Sequence, residues 1–304
     1  MNPLTNSELG SLTNSEQSFA NSEQSSPNHL KPRSDPGVLV GVNPLSAKWR
    51  FLSFEVVALP PGYTHKSMTG PQEAALVPLS GAMRVKVAGQ VFDLERRDVF
   101  AELPSVLYMP PGSEYVVETL SPAQFAFGSA PAEGKYPLRL FRPEEMRREM
   151  RGGANATRQV NHILGPDLPA ERLLLYEVYT PSGFWSGWPP HRHDGQRGSL
   201  YIEETYYYRI TPQTGWAVHR NYSPEDSLDE LLLAQDGDLI LAPKGYHPVA
   251  AAPGSNVYYL NFMAGEAVGS ARATPPVDDP DWGWMRSDWA GKPMELPFGD
   301  PKKL

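Results

Sequence analysis

Residues 189 to 210 carry the clearest structural signal in the sequence. They read Pro189-Pro190-His191-Arg192-His193-Asp194-Gly195-Gln196-Arg197-Gly198-Ser199, then Leu200-Tyr201-Ile202-Glu203-Glu204-Thr205-Tyr206-Tyr207-Tyr208-Arg209-Ile210. The second part has the aromatic and β-branched composition of a strand, and the first has the turn formers of a loop. Two histidines two positions apart on an extended segment point the same way, because strand side chains alternate with period two. They can therefore grip one ion. A carboxylate from the aromatic strand and a third histidine, His247, after the tight Pro243-Lys244-Gly245 turn complete a shell of three imidazoles and one carboxylate. That donor set suits a divalent first-row transition metal.

Outward from this stretch, the 304 residues carry 32 prolines, 26 glycines and 11% aromatics, which favours many short strands and tight turns over a helical bundle. The expected class is mainly β, with room for one large or two medium domains. The formal charge is -8 and the basic residues are scattered apart from Arg147-Arg148-Arg151, so no nucleic-acid footprint is present. With no cysteine there can be no disulfide, thiolate ligand or cysteine nucleophile. No signal peptide or apolar run near twenty residues is visible, so a cytoplasmic protein without a membrane partner is expected.

Residues 1–35 are rich in Ser, Asn, Glu and Gln, and Leu4-Thr5-Asn6-Ser7-Glu8 recurs as Leu12-Thr13-Asn14-Ser15-Glu16. Such a segment buries too little apolar surface to offset chain entropy and is expected to be a disordered tail. An N-terminal domain over 36–150 follows, with strand runs such as Phe51 to Val57, Ala75 to Leu79 and Met83 to Val87 separated by hairpin turns. The charged, helix-permissive stretch 143–158, interrupted by Gly152-Gly153, is expected to be a connector, and a C-terminal domain covers 151–304. Asp98 to Gly112 aligns with Asp236 to Gly245, each a strand delivering a Pro-x-Gly turn. Glu114 then takes the place of His247, and the first half has no His-x-His, so it is expected to lack a metal site.

Strand phase separates Glu204, Tyr206 and Tyr208 from Glu203, Thr205 and Tyr207 without saying which face is inside. Either glutamate could be the ligand on this ground alone. His65, His162 and His219 are expected to have structural or substrate roles.

Pro189 to Asp194, Glu203 to Arg209, Ser227-Leu228-Asp229-Glu230, Pro243 to Val249 and Tyr258 to Gly265 together resemble the 5-deoxy-glucuronate isomerase family of myo-inositol catabolism. The likeness is strong from Tyr176 to Trp284, includes Asp279-Pro280-Asp281-Trp282, and is diffuse from Gly37 to Leu140. It implies a bicupin, two β-barrel or jelly-roll domains, with metal in the second only. By the motif of the related 4-deoxy-5-threo-hexosulose-uronate ketol-isomerase, the ligands fall on His191, His193, Glu204 and His247. Zinc is the first expectation, with manganese, iron or nickel as alternatives. Ten residues separate His193 from Glu204, more than the common cupin spacing but usual for this family. Tyr208 and His219 stand where the family pattern has His and Gln.

The implied activity converts 5-deoxy-D-glucuronate to 5-dehydro-2-deoxy-D-gluconate, an aldose to ketose isomerisation through a cis-enediol. It needs a base at C2, an acid at C1 and a Lewis acid for the charge that develops on the two oxygens. Glu203, Tyr206, Tyr208, Tyr246 and Asp194 are the candidate acid and base groups, a carboxylate being the better base because free tyrosine titrates near ~10. Arg192, Arg209, Arg220 and Lys244 are the candidate cations for the carboxylate of a sugar-acid partner. Two other readings stand beside this one: a metal-dependent cupin dioxygenase, and a non-catalytic sugar-acid-binding cupin. A homo-oligomer is expected from the fold-level resemblance.

Overall fold

Antiparallel strands make up about half of the chain and are arranged as two barrels in sequence order. This is a computed structural model that describes residues 26–291. Pro44–Ala47 is the only α-helix among the described residues.

In the first half, the sixteen-residue strand Gln72–Val87 serves both walls. Its first part pairs with Ala123–Pro131 and Val106–Met109, its second with Gln90–Arg96 and Glu114–Thr119. A register shift between Pro78 and Ser80 bends it between the two. Ser53–Leu59 and Gly37–Val42 extend the wall that faces the second half.

The second half has a seven-stranded sheet in the order His29–Leu30, Leu239–Ala242, Ile202–Thr211, Asn256–Gly265, Leu174–Thr180, Arg158–Leu164, Arg147–Arg151. Opposite it lies a four-stranded sheet of Trp185–Ser186, Val249–Ala251, Ala217–Ser223 and Leu228–Ala234. The barrel interior between them is filled by Val160, Val178, Tyr206, Tyr208, Ile240, Val249 and Tyr259.

The largest core lies between the halves, where Phe54, Val56, Val77 and Tyr108 of the first meet Leu175, Tyr207, Leu260 and Phe262 of the second. The approach is close enough that a Cβ on Gly128 would stand 2.2 Å from the Phe262 ring. Two carboxylates staple the halves reciprocally. Glu73 accepts from the amides of Glu171, Arg172 and Leu173 and from the Tyr108 hydroxyl, at 2.6–2.8 Å. Glu203 accepts from the amides of Arg50, Phe51 and Leu52 and from the Tyr201 hydroxyl, at 2.6–3.0 Å. Glu73 pairs with Ala130 across the sheet as Glu203 pairs with Ala264, so the two halves are built on one plan. Ala74 of the first half then stands where the second has Glu204.

Period two places Phe54 and Val56 in the core between the halves and Glu55, Val57 and Leu59 toward the first barrel's interior. Glu55 keeps some accessible surface, yet burial pushes its carboxyl up to about 7 from an ordinary 4.5. The folded state therefore binds the extra proton. This contribution to stability is full below about pH 4.5 and is lost as the pH rises through about 7, a change of at most roughly 3 kcal/mol. Glu55→Gln is expected to raise Tm at pH 8 and change it little at pH 4.5. A gain of equal size at both pH values in thermal melts would contradict this.

Two sequence expectations change here. Of the segment 1–35 assigned to a disordered tail, residues 1–25 lie outside the described residues, but 26–35 are held in place. His29–Leu30 pairs with Leu239 and Ile240, covering an otherwise open sheet edge. Ser26 and Asn28 donate to Glu230 at 3.1 and 2.9 Å, and His29 Nε2 lies 2.9 Å from Asp238. The expected connector 143–158 contains a strand instead, Arg147–Arg151, in a hairpin with Arg158–Leu164. Helix-permissive composition yields there because Glu149 accepts from His162 across the hairpin, flanked on its own strand by Arg147 and Arg151.

Candidate metal centre

The His191–Arg192 strand is pinned on one edge by Val277–Asp278, and the Asp279 amide donates to the Pro190 carbonyl at 2.8 Å. On the other side the Ile202 amide donates to the His193 carbonyl at 2.7 Å. The third histidine follows Gly245, whose φ of +67° belongs to glycine and whose added Cβ would lie 2.1 Å from the Tyr222 carbonyl oxygen. A clip joins the two loops. Arg192 forks onto Asp194 at 2.9 and 2.6 Å, and Asp194 accepts the Gly245 amide at 2.7 Å. Burial opposes the charge of Asp194, but the Arg192 and Gly245 hydrogen bonds win and hold its carboxyl at about 2.

Each histidine turns Nδ1 to a main-chain carbonyl: His191 to Pro189 at 3.2 Å, His193 to Ile202 at 2.8 Å and His247 to Gly245 at 3.3 Å. A proton on Nδ1 leaves each Nε2 as a lone-pair donor, the arrangement of metal-ligating imidazoles. Glu204 Oε2 lies 2.9 Å from His193 Nε2 and 3.3 Å from His247 Nε2. The longer contact is too poorly aligned to be a hydrogen bond, so His247 Nε2 is buried without a partner. Ligand atoms of His193, Glu204 and His247 fall within 4.8 Å of one another and could hold a metal ion. His191 flanks them, its ring centroid 5.0 Å from that of His247 and 6.3 Å from that of His193. An orphaned imidazole nitrogen beside two more and a carboxylate fits a divalent transition ion.

Burial disfavours an ionised Glu204, but the neighbouring His193 and His247 imidazoles overcome it and hold the carboxyl well below its usual range. Burial, then the neighbouring His247 and His193, push His191 well below an ordinary imidazole. Burial works against the charged form of His193, but the Glu204 hydrogen bond and charge outweigh it and raise this imidazole above its ordinary value.

Deeper in the barrel, Tyr206 stands edge-on to His219 at 4.7 Å between centroids and 5.9 Å from His247. Tyr208 hydroxyl lies 2.7 Å from His219 Nδ1, His219 Nε2 lies 3.0 Å from Asn221 Oδ1, and Asn221 Nδ2 donates to the Leu241 carbonyl at 2.9 Å. That last bond orients the amide, so His219 donates from Nε2 and accepts the Tyr208 proton at Nδ1. Burial, then the neighbouring His247, push His219 down to about 3. Burial also raises both Tyr206 and Tyr208 well above an ordinary phenol.

Of the candidate site residues, His191, His193, Glu204 and His247 come together, with Tyr206 and Tyr208 in the same interior. The others do not. Glu203 faces the first half as a staple, because neighbouring residues on a strand point to opposite sides. Asp194 and Arg192 form the clip, and Arg192 also reaches Glu225 at 3.2 Å. Tyr246 lies against the Tyr222 ring at 5.1 Å, with the Arg192 guanidinium 5.1 Å over it. Arg209 pairs with Asp236, Arg220 with Asp229 and Lys244 with Asp226, at 2.7–2.9 Å, all away from the cluster. Asn221, Tyr259 and Arg158 were missed. Alternation from His219 would have shown Asn221, and the Tyr258-Tyr259 pair gave no phase.

Two barrels in tandem, with three histidines and a carboxylate inside the second, define a bicupin with one metal-type cluster. Oxalate decarboxylase of Lactobacillus farciminis shares this fold with a TM-score of 0.57 at 12% identity, over 83% of this chain and 89% of that one. The KduI/IolB family model matches residues 28–285, and the chain belongs to that family. It is 42% identical to the 5-deoxy-glucuronate isomerase of Geobacillus thermodenitrificans over 85% of this chain and 95% of the relative. With the enzyme of the same name from Bacillus licheniformis the identity is 34%, over 77% and 88%. An iolb-like protein from Salmonella typhimurium LT2 superimposes with a TM-score of 0.80 at 34% identity, over 85% of this chain and 98% of that one. Among the described residues, no helix is long and apolar enough to cross a membrane.

Proposed function

We propose that this protein is an aldose–ketose isomerase that converts 5-deoxy-D-glucuronate to 5-dehydro-2-deoxy-D-gluconate in the cytoplasm. The observation that carries the reading is the convergence of three carbonyl-anchored imidazoles on Glu204 within a family whose relatives carry that name. His191, His193, Glu204 and His247 would hold the metal, zinc by donor type, and a bound divalent ion supplies Lewis acidity toward the oxygens of C1 and C2.

Around the cluster the chain's own groups are proton donors. With Glu203 and Asp194 committed elsewhere, no sequence-selected carboxylate except the ligand Glu204 remains at the cluster. Tyr206 keeps its proton, since burial first and the Glu204 charge second raise it, and it serves as a donor toward an oxygen or carbon of the substrate. Tyr208 and His219 hold a second proton between hydroxyl and Nδ1, with Asn221 fixing the ring. Tyr259, tied to Ser186 at 2.9 Å and 4.8 Å from Tyr206 ring to ring, walls the same side.

The test is ketose formation by purified protein before and after EDTA, with metal content measured on each sample. Loss with the chelator and return with zinc supports the reading; turnover by metal-free protein overturns it. Tyr206→Phe is expected to keep its metal and lose roughly 10²- to 10⁴-fold in kcat, the range of a positioned acid or base. Unchanged kcat in that variant would remove Tyr206 from the proton path.

A further inference from the structure

Every cation near the motif in sequence is already paired, yet the proposed substrate carries a carboxylate at the far end from its aldehyde. One buried cation is different. Arg158 opens the strand Arg158–Leu164, is 5% exposed, and shares its face with Val160, which packs among Tyr206, Tyr208 and Tyr259 inside the second barrel. Nη1 donates to the carbonyls of Ala156 at 3.0 Å and Trp188 at 2.8 Å, and Trp188 is three residues before His191. Among the described residues no carboxylate pairs with it, and no partner stands at Nε or Nη2.

Other buried arginines show how this chain ordinarily satisfies a guanidinium. Arg96 forks onto Glu177 and Arg192 onto Asp194. Arg272 has all three nitrogens on carbonyls, of Gly269, Leu173 and Leu168. Arg158 alone of these four keeps half its fork open within a barrel, where an uncompensated charge is costly. Burial pushes it down to about 10; the Tyr259 and Tyr206 phenols oppose that, and Arg151 and Arg286 add repulsion. Arg151 and Arg286 are themselves bonded to Glu149 and Asp278.

We propose that Arg158 receives the carboxylate of a sugar-acid substrate and so sets the preference for uronates over neutral sugars. The assignment rests on the isomerase reading for its substrate. The metal cluster then faces the C1–C2 end and Arg158 the C6 carboxylate, through the planar fork that suits a bidentate acid.

The test is calorimetric titration of metal-loaded wild type, Arg158→Met and Arg158→Lys with D-gluconate and with D-glucitol, the same polyol without a carboxylate. Alongside, kcat, KM and metal content are measured with 5-deoxy-D-glucuronate. Wild type is expected to prefer gluconate about tenfold or more. In Arg158→Met that preference disappears, and KM rises about 10- to 100-fold with less change in kcat and none in metal content. Arg158→Lys, which keeps the charge without the fork, is expected to fold and to bind gluconate several-fold more weakly. Wild type without a preference, Arg158→Met with an intact preference, or Arg158→Lys that binds as wild type would each overturn the proposal. Gluconate binding that needs Arg158 without turnover would sink the isomerase reading and leave this assignment standing. Turnover with an Arg158-independent preference would do the reverse.

Discussion

Replacing His247 with alanine is expected to abolish metal retention and turnover together while leaving the barrel folded. His247 Nε2 is the one cluster nitrogen shown buried without a hydrogen-bond partner, and its ring lies 5.0 and 4.9 Å from the rings of His191 and His193. Removing it deletes one of four donors and leaves the negative charge of Glu204 with His193 alone at bonding distance. Loss of an outer partner of a ligand typically costs ~10- to 100-fold in metal affinity, so loss of the ligand itself should exceed that. The surrounding strands do not depend on the imidazole, because the turn is held by the Asp194 bond to the Gly245 amide and by the paired amides and carbonyls of Tyr222 and Tyr246. Elemental analysis of the purified variant, with circular dichroism as the folding check, decides the matter. Full metal occupancy in His247→Ala would remove it from the ligand set.

The largest stability loss is expected from Arg96→Met. Arg96 and Glu177 are both 0% exposed and joined at 2.7 and 3.1 Å across the boundary between the halves. Glu177 also accepts the Tyr258 hydroxyl at 2.7 Å, and Arg96 donates to the carbonyls of Pro78 and Glu102. Methionine fills much of the volume but strands a carboxylate in the core. Breaking one side of a buried pair costs about 3–5 kcal/mol, far more than the pair adds over a well-packed apolar substitute. Chemical denaturation should show that loss, and the double variant Arg96→Met with Glu177→Leu should recover most of it. A single-variant loss below about 1 kcal/mol would mean that water reaches Glu177.

The β class and the His-x-His were legible because both follow from period two and turn chemistry. Glu203 against Glu204 was not, since Ile202–Thr211 is buried on both faces, one in the barrel and one against the other half. With no wet side, polarity carries no phase, and only the resemblance separated ligand from staple. The same rule of alternation could have excluded Arg192, which stands between two inward histidines and must point outward. Arg209 shares the phase of Glu203, and Arg220 follows the inward His219, so both exclusions were available too. Arg158 escaped because its strand begins inside a charged segment whose composition resembles a linker. Nothing local reveals that Arg147–Arg151 will fold back on it.

Proton NMR of 5-deoxy-D-glucuronate with the purified, metal-loaded protein in D2O, beside an EDTA-treated control, decides whether the protein is this isomerase. Loss of the C1 aldehyde or hemiacetal signal and growth of the ketose are expected only in the metal-loaded sample. An unchanged spectrum from fully metallated, folded protein would contradict the isomerase reading.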